Sequence, residues 1–331
     1  MKRLILSALA INLLLATYAL PDKARKAAHN EGNSSVRKAV VIWREPSDIG
    51  TRNLFYGPGG RAGQPAAPFK FIEEDLDGGS PKFVIRDARG VQWKVKIGDE
   101  ARPETAATRL MWAVGYFSDL NYYLPRLRVA GLPKLSRGQK YVSANGVVRG
   151  ARLERAIKKV DDWSWFDNPF TGTREFDGLR VMMALMNKWD LKQSNNAIYA
   201  AGGGEFRYFV SDLGDTFGKT GGDWTRSKGK PDDYSESRFI DKVTPVKVDL
   251  VLHSRPPIPY AVAIPYYVKR VRMEKVTDDI PRAHARWIGR WLGRLSNSQI
   301  RDAFRAAGYS PQEVDVYARE MRERINSLNK L

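Results

Sequence analysis

The chain of 331 residues has no cysteine. That excludes disulfides, thiol nucleophiles, iron–sulfur clusters and every zinc site built on thiolates. Histidine is almost as scarce: His29, His253 and His284 stand far apart with no short ligand spacing, so neither a histidine metal centre nor a Ser–His–Asp triad is expected. Any metal would be held by oxygen. Acidic side chains are the minority charge, 37 against 55 Lys and Arg, for a net charge of +18. Such an excess draws a protein toward phosphates or an anionic surface. The basic residues are scattered rather than gathered into one tract, which argues against a nucleic-acid arm.

What is present is the material of a folded body. Hydrophobic residues make up 43 % and aromatics 11 %, with nine Trp, well above a disordered chain. The length suits one large two-lobed domain or two ordinary ones. At the amino end Lys2 and Arg3 precede an apolar stretch from Leu4 that runs through Thr17-Tyr18-Ala19, the layout of a signal peptide over residues 1–19. Export to the periplasm or medium is therefore expected. The alternative is an uncleaved anchor; Lys23, Arg25, Lys26, Arg37 and Lys38 follow the apolar run, and by the positive-inside rule they would then keep the body in the cytosol. Residues 20–38 read as a polar linker.

The body divides into a β-rich part, 39–155, and a mainly helical part, 156–331. Ala39 to Trp43 suits a strand. Phe83 to Arg86 and Val91 to Ile97 form a hairpin about Asp87-Ala88-Arg89-Gly90, the second strand alternating apolar and polar side chains. After Gly98 the period changes: Ala101 to Tyr116 is helical, with Pro103 and Glu104 in its first turn. Tyr122 to Val129 and Val147 to Leu153 are further strands. In the second part Phe176, Leu179, Met182, Met183 and Met186 form a helical core stripe. A hairpin runs from Ala197 to Val210, and residues 215–240, rich in Gly, Lys, Asp and Ser, suggest a mobile segment. From Pro281 the chain is helical, with Gly308-Tyr309-Ser310-Pro311 separating two helices. Trp287 and Trp291 lie four apart on one helical face, a spacing that suits burial better than base stacking.

Phosphoryl transfer needs positioned cations and metal-holding oxygens more than covalent help from the protein. The chain carries them in order: Lys96 ending a hairpin strand, Glu104 on the following helix, Asp190-Leu191-Lys192-Gln193-Ser194-Asn195 after a helix, and Asp212-Leu213-Gly214 after the next hairpin. Each alone is commonplace. Exposed Lys and Glu are usually solvated surface charges, and Asp and Asn favour turns.

Taken together, these residues resemble the protein-kinase-like superfamily, in particular its atypical branch with the HipA-type and phosphatidylinositide kinases. The resemblance covers about residues 76–215. It implies an α+β, bilobal fold with a β-rich N-lobe and a mainly helical C-lobe. It further implies a phosphotransferase that moves the γ-phosphoryl group of ATP to a hydroxyl-bearing acceptor with Mg²⁺. In that pattern Lys96 binds donor phosphates and Glu104 holds it. Asp190 orients or deprotonates the acceptor, Lys192 steadies the transferred group, and Asn195 with Asp212 binds Mg²⁺. In place of a Gly-x-Gly-x-x-Gly loop, Gly78-Gly79-Ser80-Pro81-Lys82 resembles the HipA-type phosphate loop. Lys192 stands where the atypical kinases have His, so the acceptor class is not inherited. Lys94 shares the polar positions of its strand with Lys96, and only the family pattern chooses between them. The alternative function is a non-catalytic exported pseudokinase or polyanion-binding envelope protein, since ATP is scarce outside the cytosol.

Overall fold

In the computed structural model, residues 39–219, 227–252 and 271–331 are described, all within the compact unit Lys38–Leu331. The segment read as signal peptide and linker lies outside them. Strand β1, Ala39–Val41, leads through a loop to β2, Phe69–Asp75. The hairpin of β3, Lys82–Arg86, and β4, Gln92–Ile97, comes next, then helix α1, Ala101–Ala113, and strands β5, Asn121–Ala130, and β6, Val147–Arg155. Strands β2 to β6 close into a barrel in the order β2-β3-β4-β6-β5, shut by parallel pairing of Phe69 and Lys70 with Val129 and Ala130. Closure removes exposed strand edges. Phe83, Ile85, Trp93, Val95, Leu127, Val148 and Leu153 fill the interior. Asp87 secures the β3–β4 turn: its carboxylate accepts from the backbone of Arg89 and Val91 and from Trp93 Nε1 at 3.1 Å.

Helix α1 is buried along nearly its whole length. It ends at Ala113, three residues earlier than its periodicity suggests. Gly115 adopts φ +95°, and a Cβ there would lie 2.2 Å from the Arg44 carbonyl oxygen, so the chain turns where only glycine fits.

The second half begins with α2, Arg174–Leu185, followed by β7, Asn196–Ala200, and β8, Glu205–Val210. Strand β1 adds in parallel to β8, giving the sheet β1-β8-β7. Next come α3, Pro231–Ser235, β9, Ile240–Val243, β10, Lys247–Leu250, and β11, Ile280–Pro281, the last three forming a second small sheet. Helices α4, Arg282–Gly293, α5, Asn297–Ala306, and α6, Pro311–Lys330, complete the chain. The stretch from Pro281 thus holds three helices, not two. The extra break is a capping box, Ser296 with Gln299, of the same kind as Ser310 with Glu313. Phe176, Leu179, Met182, Met183 and Met186 are all core, as is Trp287, whose ring meets Trp43 at 5.0 Å. The architecture is α+β, a β-rich half and a mainly helical half.

The expectation that 215–240 is mobile is corrected for the described part of that span. Asp215, Thr216, Phe217 and Tyr234 are buried, and Gly229 and Lys230 donate backbone bonds to Thr216 and Phe217. Phe217 packs on Tyr234, Phe304 and Tyr317. Composition alone missed this aromatic anchor.

Candidate active site

A cleft of about 1610 Å³ brings together residues from both halves, among them Gly78, Ser80, Glu100, Asp190, Asn195 and Asp212. Lys96 approaches it from β4. Residues 93, 95 and 97 of that strand point into the barrel, and Lys94 is exposed while Lys96 is only 6 % exposed. Burial therefore distinguishes two lysines that strand alternation leaves equivalent. The Lys96 ammonium lies 2.9 Å from Glu104, 3.1 Å from Asp212 and 3.2 Å from Glu100. Burial disfavours its charged form, but Glu104 and Asp212 more than restore it and hold its pKa above the ordinary lysine value. Arg152 on β6 meets the same Glu104 oxygen at 3.2 Å and pairs with Glu154. Glu104, 1 % exposed, thus joins α1 to two strands of the barrel.

The Asp190–Asn195 segment follows α2. Asn187 takes the left-handed conformation that often ends a helix, φ 53°; its amide donates to Gly218 O and Ser237 Oγ, and Arg324 donates to its Oδ1 at 2.8 Å. Beyond that turn Lys192 Nζ donates to Asp190 Oδ2 at 2.6 Å, and Asn195 Nδ2 donates to the same oxygen at 3.2 Å and to the Asp190 carbonyl at 2.8 Å. Both side-chain contacts fall on Oδ2. The Asn195 carbonyl accepts from the backbone N–H of Ser211 and of Asp212 at 3.0 and 3.2 Å, fastening the Asp190 loop to the Asp212 turn. Burial opposes ionisation of Asp212, but Lys96 and Lys188 overcome it and keep its carboxyl well below the usual range.

Gly78, Gly79 and Ser80 line the cleft, and Ser80 Oγ donates to Glu100 at 2.7 Å. Lys82 does not line it. Its ammonium sits 3.4 Å from Asp75 on the neighbouring strand, so the glycine segment reaches the cleft without its lysine. Arg152, Glu100, Lys188, Asp215 and Lys228 also stand at the site, and no motif read from the sequence includes them. Glu100 precedes α1. Lys228 pairs with Glu100 and Asp215, each at 2.5 Å, and the buried Lys188 lies 3.7 Å from Asp215. Lys188 and Asp215 adjoin the two quoted motifs; nothing local marks Lys228, which meets Glu100 across 128 residues.

Among the described residues no group of three or more Asp, Glu or His is arranged to cage a metal ion. The cleft offers instead the Asp212 carboxylate and the Asn195 side-chain oxygen, whose amide nitrogen is already engaged with Asp190. One carboxylate and one amide suit Mg²⁺, which keeps waters and takes substrate phosphate oxygens rather than an all-protein cage.

No family model and no curated protein matches the chain. Among solved structures it is similar to the Helicobacter pylori proinflammatory kinase CtkA, at 10 % identity and a TM-score of 0.46. That match covers 79 % of this chain and 96 % of the other.

Proposed function

We propose that the protein is a kinase-like phosphotransferase that moves the γ-phosphoryl group of ATP to a hydroxyl-bearing acceptor, with Mg²⁺. The observation that carries the reading is the meeting at one ammonium, Lys96, of Glu104 from the helix and Asp212 from the Asp-Leu-Gly turn. Asp190 and Asn195 lie in the same cleft. Surface charges would not be buried in this way, and an ion pair kept only for stability would not open onto a cleft lined by a glycine loop.

In this reading Lys96 binds donor phosphates, with Glu104 and Arg152 fixing its position. Asp190 accepts the proton of the acceptor hydroxyl as its oxygen attacks the γ-phosphorus; the bond to the bridging oxygen breaks, and that electron pair leaves with ADP. Lys192, held at Asp190, is placed to offset charge on the group in transit. Asn195 and Asp212 would hold Mg²⁺, which neutralises triphosphate charge and orients the donor. The basic excess of the chain favours an acceptor presented on an anionic surface. For compartment the reading is export, carried by Lys2, Arg3 and the apolar run up to Ala19. The reading is tested by phosphate transfer from ATP to a hydroxyl acceptor in the wild type and its loss in Asp190→Ala.

A further inference from the structure

Glu100 stands where an anion is called for. Its Oε2 accepts from Ser80 Oγ at 2.7 Å and lies 3.2 Å from Lys96 Nζ, and its Oε1 lies 2.5 Å from Lys228 Nζ. The three donors come from separate parts of the chain: the glycine segment between β2 and β3, the end of β4, and the stretch following Asp212-Leu213-Gly214. Helix capping does not explain the arrangement, because Glu100 precedes α1 but its side chain makes no cap hydrogen bond. The place is also shaped to hold it. A Cβ on Gly214 would lie 2.7 to 3.0 Å from Glu100 Cβ, Cγ and Oε2, so the glycine of the Asp-Leu-Gly turn leaves room for this side chain.

Two ammoniums and a hydroxyl around one pair of oxygens is equally a set of donors for a phosphate group. The geometry points to a phosphate seat made by Ser80, Lys96 and Lys228, in which Glu100 is a built-in occupant that a nucleotide phosphate must displace. This rests on the phosphotransfer reading for the class of ligand. Each cation keeps a second anchor when Glu100 leaves: Glu104 and Asp212 for Lys96, and Asp215 for Lys228. Lys228 lines the cleft, and Lys96 sits against Glu100 and Asp212, which line it, so both ammoniums keep their places when Glu100 leaves. Burial favours the neutral form of Glu100, yet Lys96 and Lys228 hold its pKa at about 2, so the occupant is an anion at physiological pH. Lys228 becomes a phosphate-binding residue, and Glu100 a positioning residue that sets how tightly phosphate binds.

The test is calorimetric titration of the full chain, without Mg²⁺, with inorganic tripolyphosphate, ATP and adenosine. Glu100→Gln keeps the side-chain shape and removes the charge; Glu100→Ala guards against new amide contacts, and the melting temperature of each variant checks folding. Both variants are expected to bind tripolyphosphate and ATP about tenfold tighter than wild type, about 1.4 kcal/mol, with adenosine unaffected. Adding Lys228→Met to Glu100→Gln should reverse the gain. Tripolyphosphate affinity unchanged or weakened in both Glu100 variants would overturn the seat, as would a gain indifferent to Lys228→Met or one confined to ATP. Turnover of ATP in the same preparations bears on phosphotransfer, whereas tripolyphosphate affinity bears on the seat, so the two readings fail separately.

Discussion

Replacing Lys96 with Met removes an ammonium that three carboxylates, Glu104, Asp212 and Glu100, hold within 3.2 Å. Breaking a buried ion pair from one side costs about 3–5 kcal/mol because the remaining charge is left uncompensated. Here the lower end applies: Arg152 still meets Glu104 and Lys228 still meets Glu100. At about 2.1 cal/mol/K of unfolding entropy per residue, a unit as large as Lys38–Leu331 shifts by less than about 2 °C per kcal/mol, and the Lys96→Met melting temperature should fall by roughly 5 °C. Lys94→Met is the internal control, on the same strand but exposed, and should stay within about 0.5 kcal/mol of wild type. The deficit should also depend on pH. Lys96 helps keep the carboxyls of Glu100 and Asp212 below their ordinary values of 4.5 and 3.8. Depressed carboxylate pKa values contribute stability that is present above the unfolded values and lost as the pH falls through the folded ones. The variant lacks part of that contribution, and Glu104, whose carboxyl burial pushes above its ordinary value even beside Lys96, takes up a proton first, so the gap to wild type begins to narrow above about pH 4.5 and goes on narrowing below it. Urea unfolding of both variants at pH 7.5 and pH 4 measures this. A Lys96→Met stability equal to that of Lys94→Met, or a gap that widens in acid, would refute the argument.

Asp190→Ala should lower the transfer rate by about a hundredfold or more, the usual contribution of a general base, while nucleotide affinity by titration stays near wild type. Equal turnover would remove the role of Asp190. Gly178→Ala should cost about 1–3 kcal/mol through overpacking, because its Cβ would fall 2.4 Å from Tyr116 Oη and 2.7 Å from the Trp287 ring; a melt unchanged from wild type would contradict this packing. Amino-terminal sequencing of the mature protein should begin at Leu20 if residues 1–19 are cleaved on export, and recovery of intact Met1 in a membrane fraction would favour the anchor.

The elements legible in the sequence were those whose pattern is local. The β3–β4 hairpin shows clean alternation and a turn with Asp87 and Gly90, and α1 and α2 have continuous apolar stripes. Strand β2 has no such signature, because Phe69–Asp75 carries charge at most positions and exposes much of its length. Strand β1 has a local apolar run, but its partner β8 lies more than 160 residues away, and nothing local encodes such pairing. At the site, the spacing of Asp190 to Asn195 and the Asp212 turn stood out because motif residues are neighbours in the chain. Alternation does not separate Lys96 from Lys94, since the burial of Lys96 is set by carboxylates from distant parts of the chain, Glu104 and Asp212, that gather at its ammonium. Glu100 and Lys228 acquire meaning only from each other. Lys82 looked like part of the glycine loop in one dimension, whereas in three its strand position turns it toward Asp75.

The central claim is that Lys96, Asn195 and Asp212 form one metal-assisted nucleotide site. Its most direct test is titration of wild type and Asp212→Asn with ATP in the presence and absence of Mg²⁺. Binding that strengthens with Mg²⁺ in the wild type, and loses that response in Asp212→Asn, is the predicted result. Wild-type affinity indifferent to Mg²⁺, or a Mg²⁺ response intact in Asp212→Asn, would contradict it.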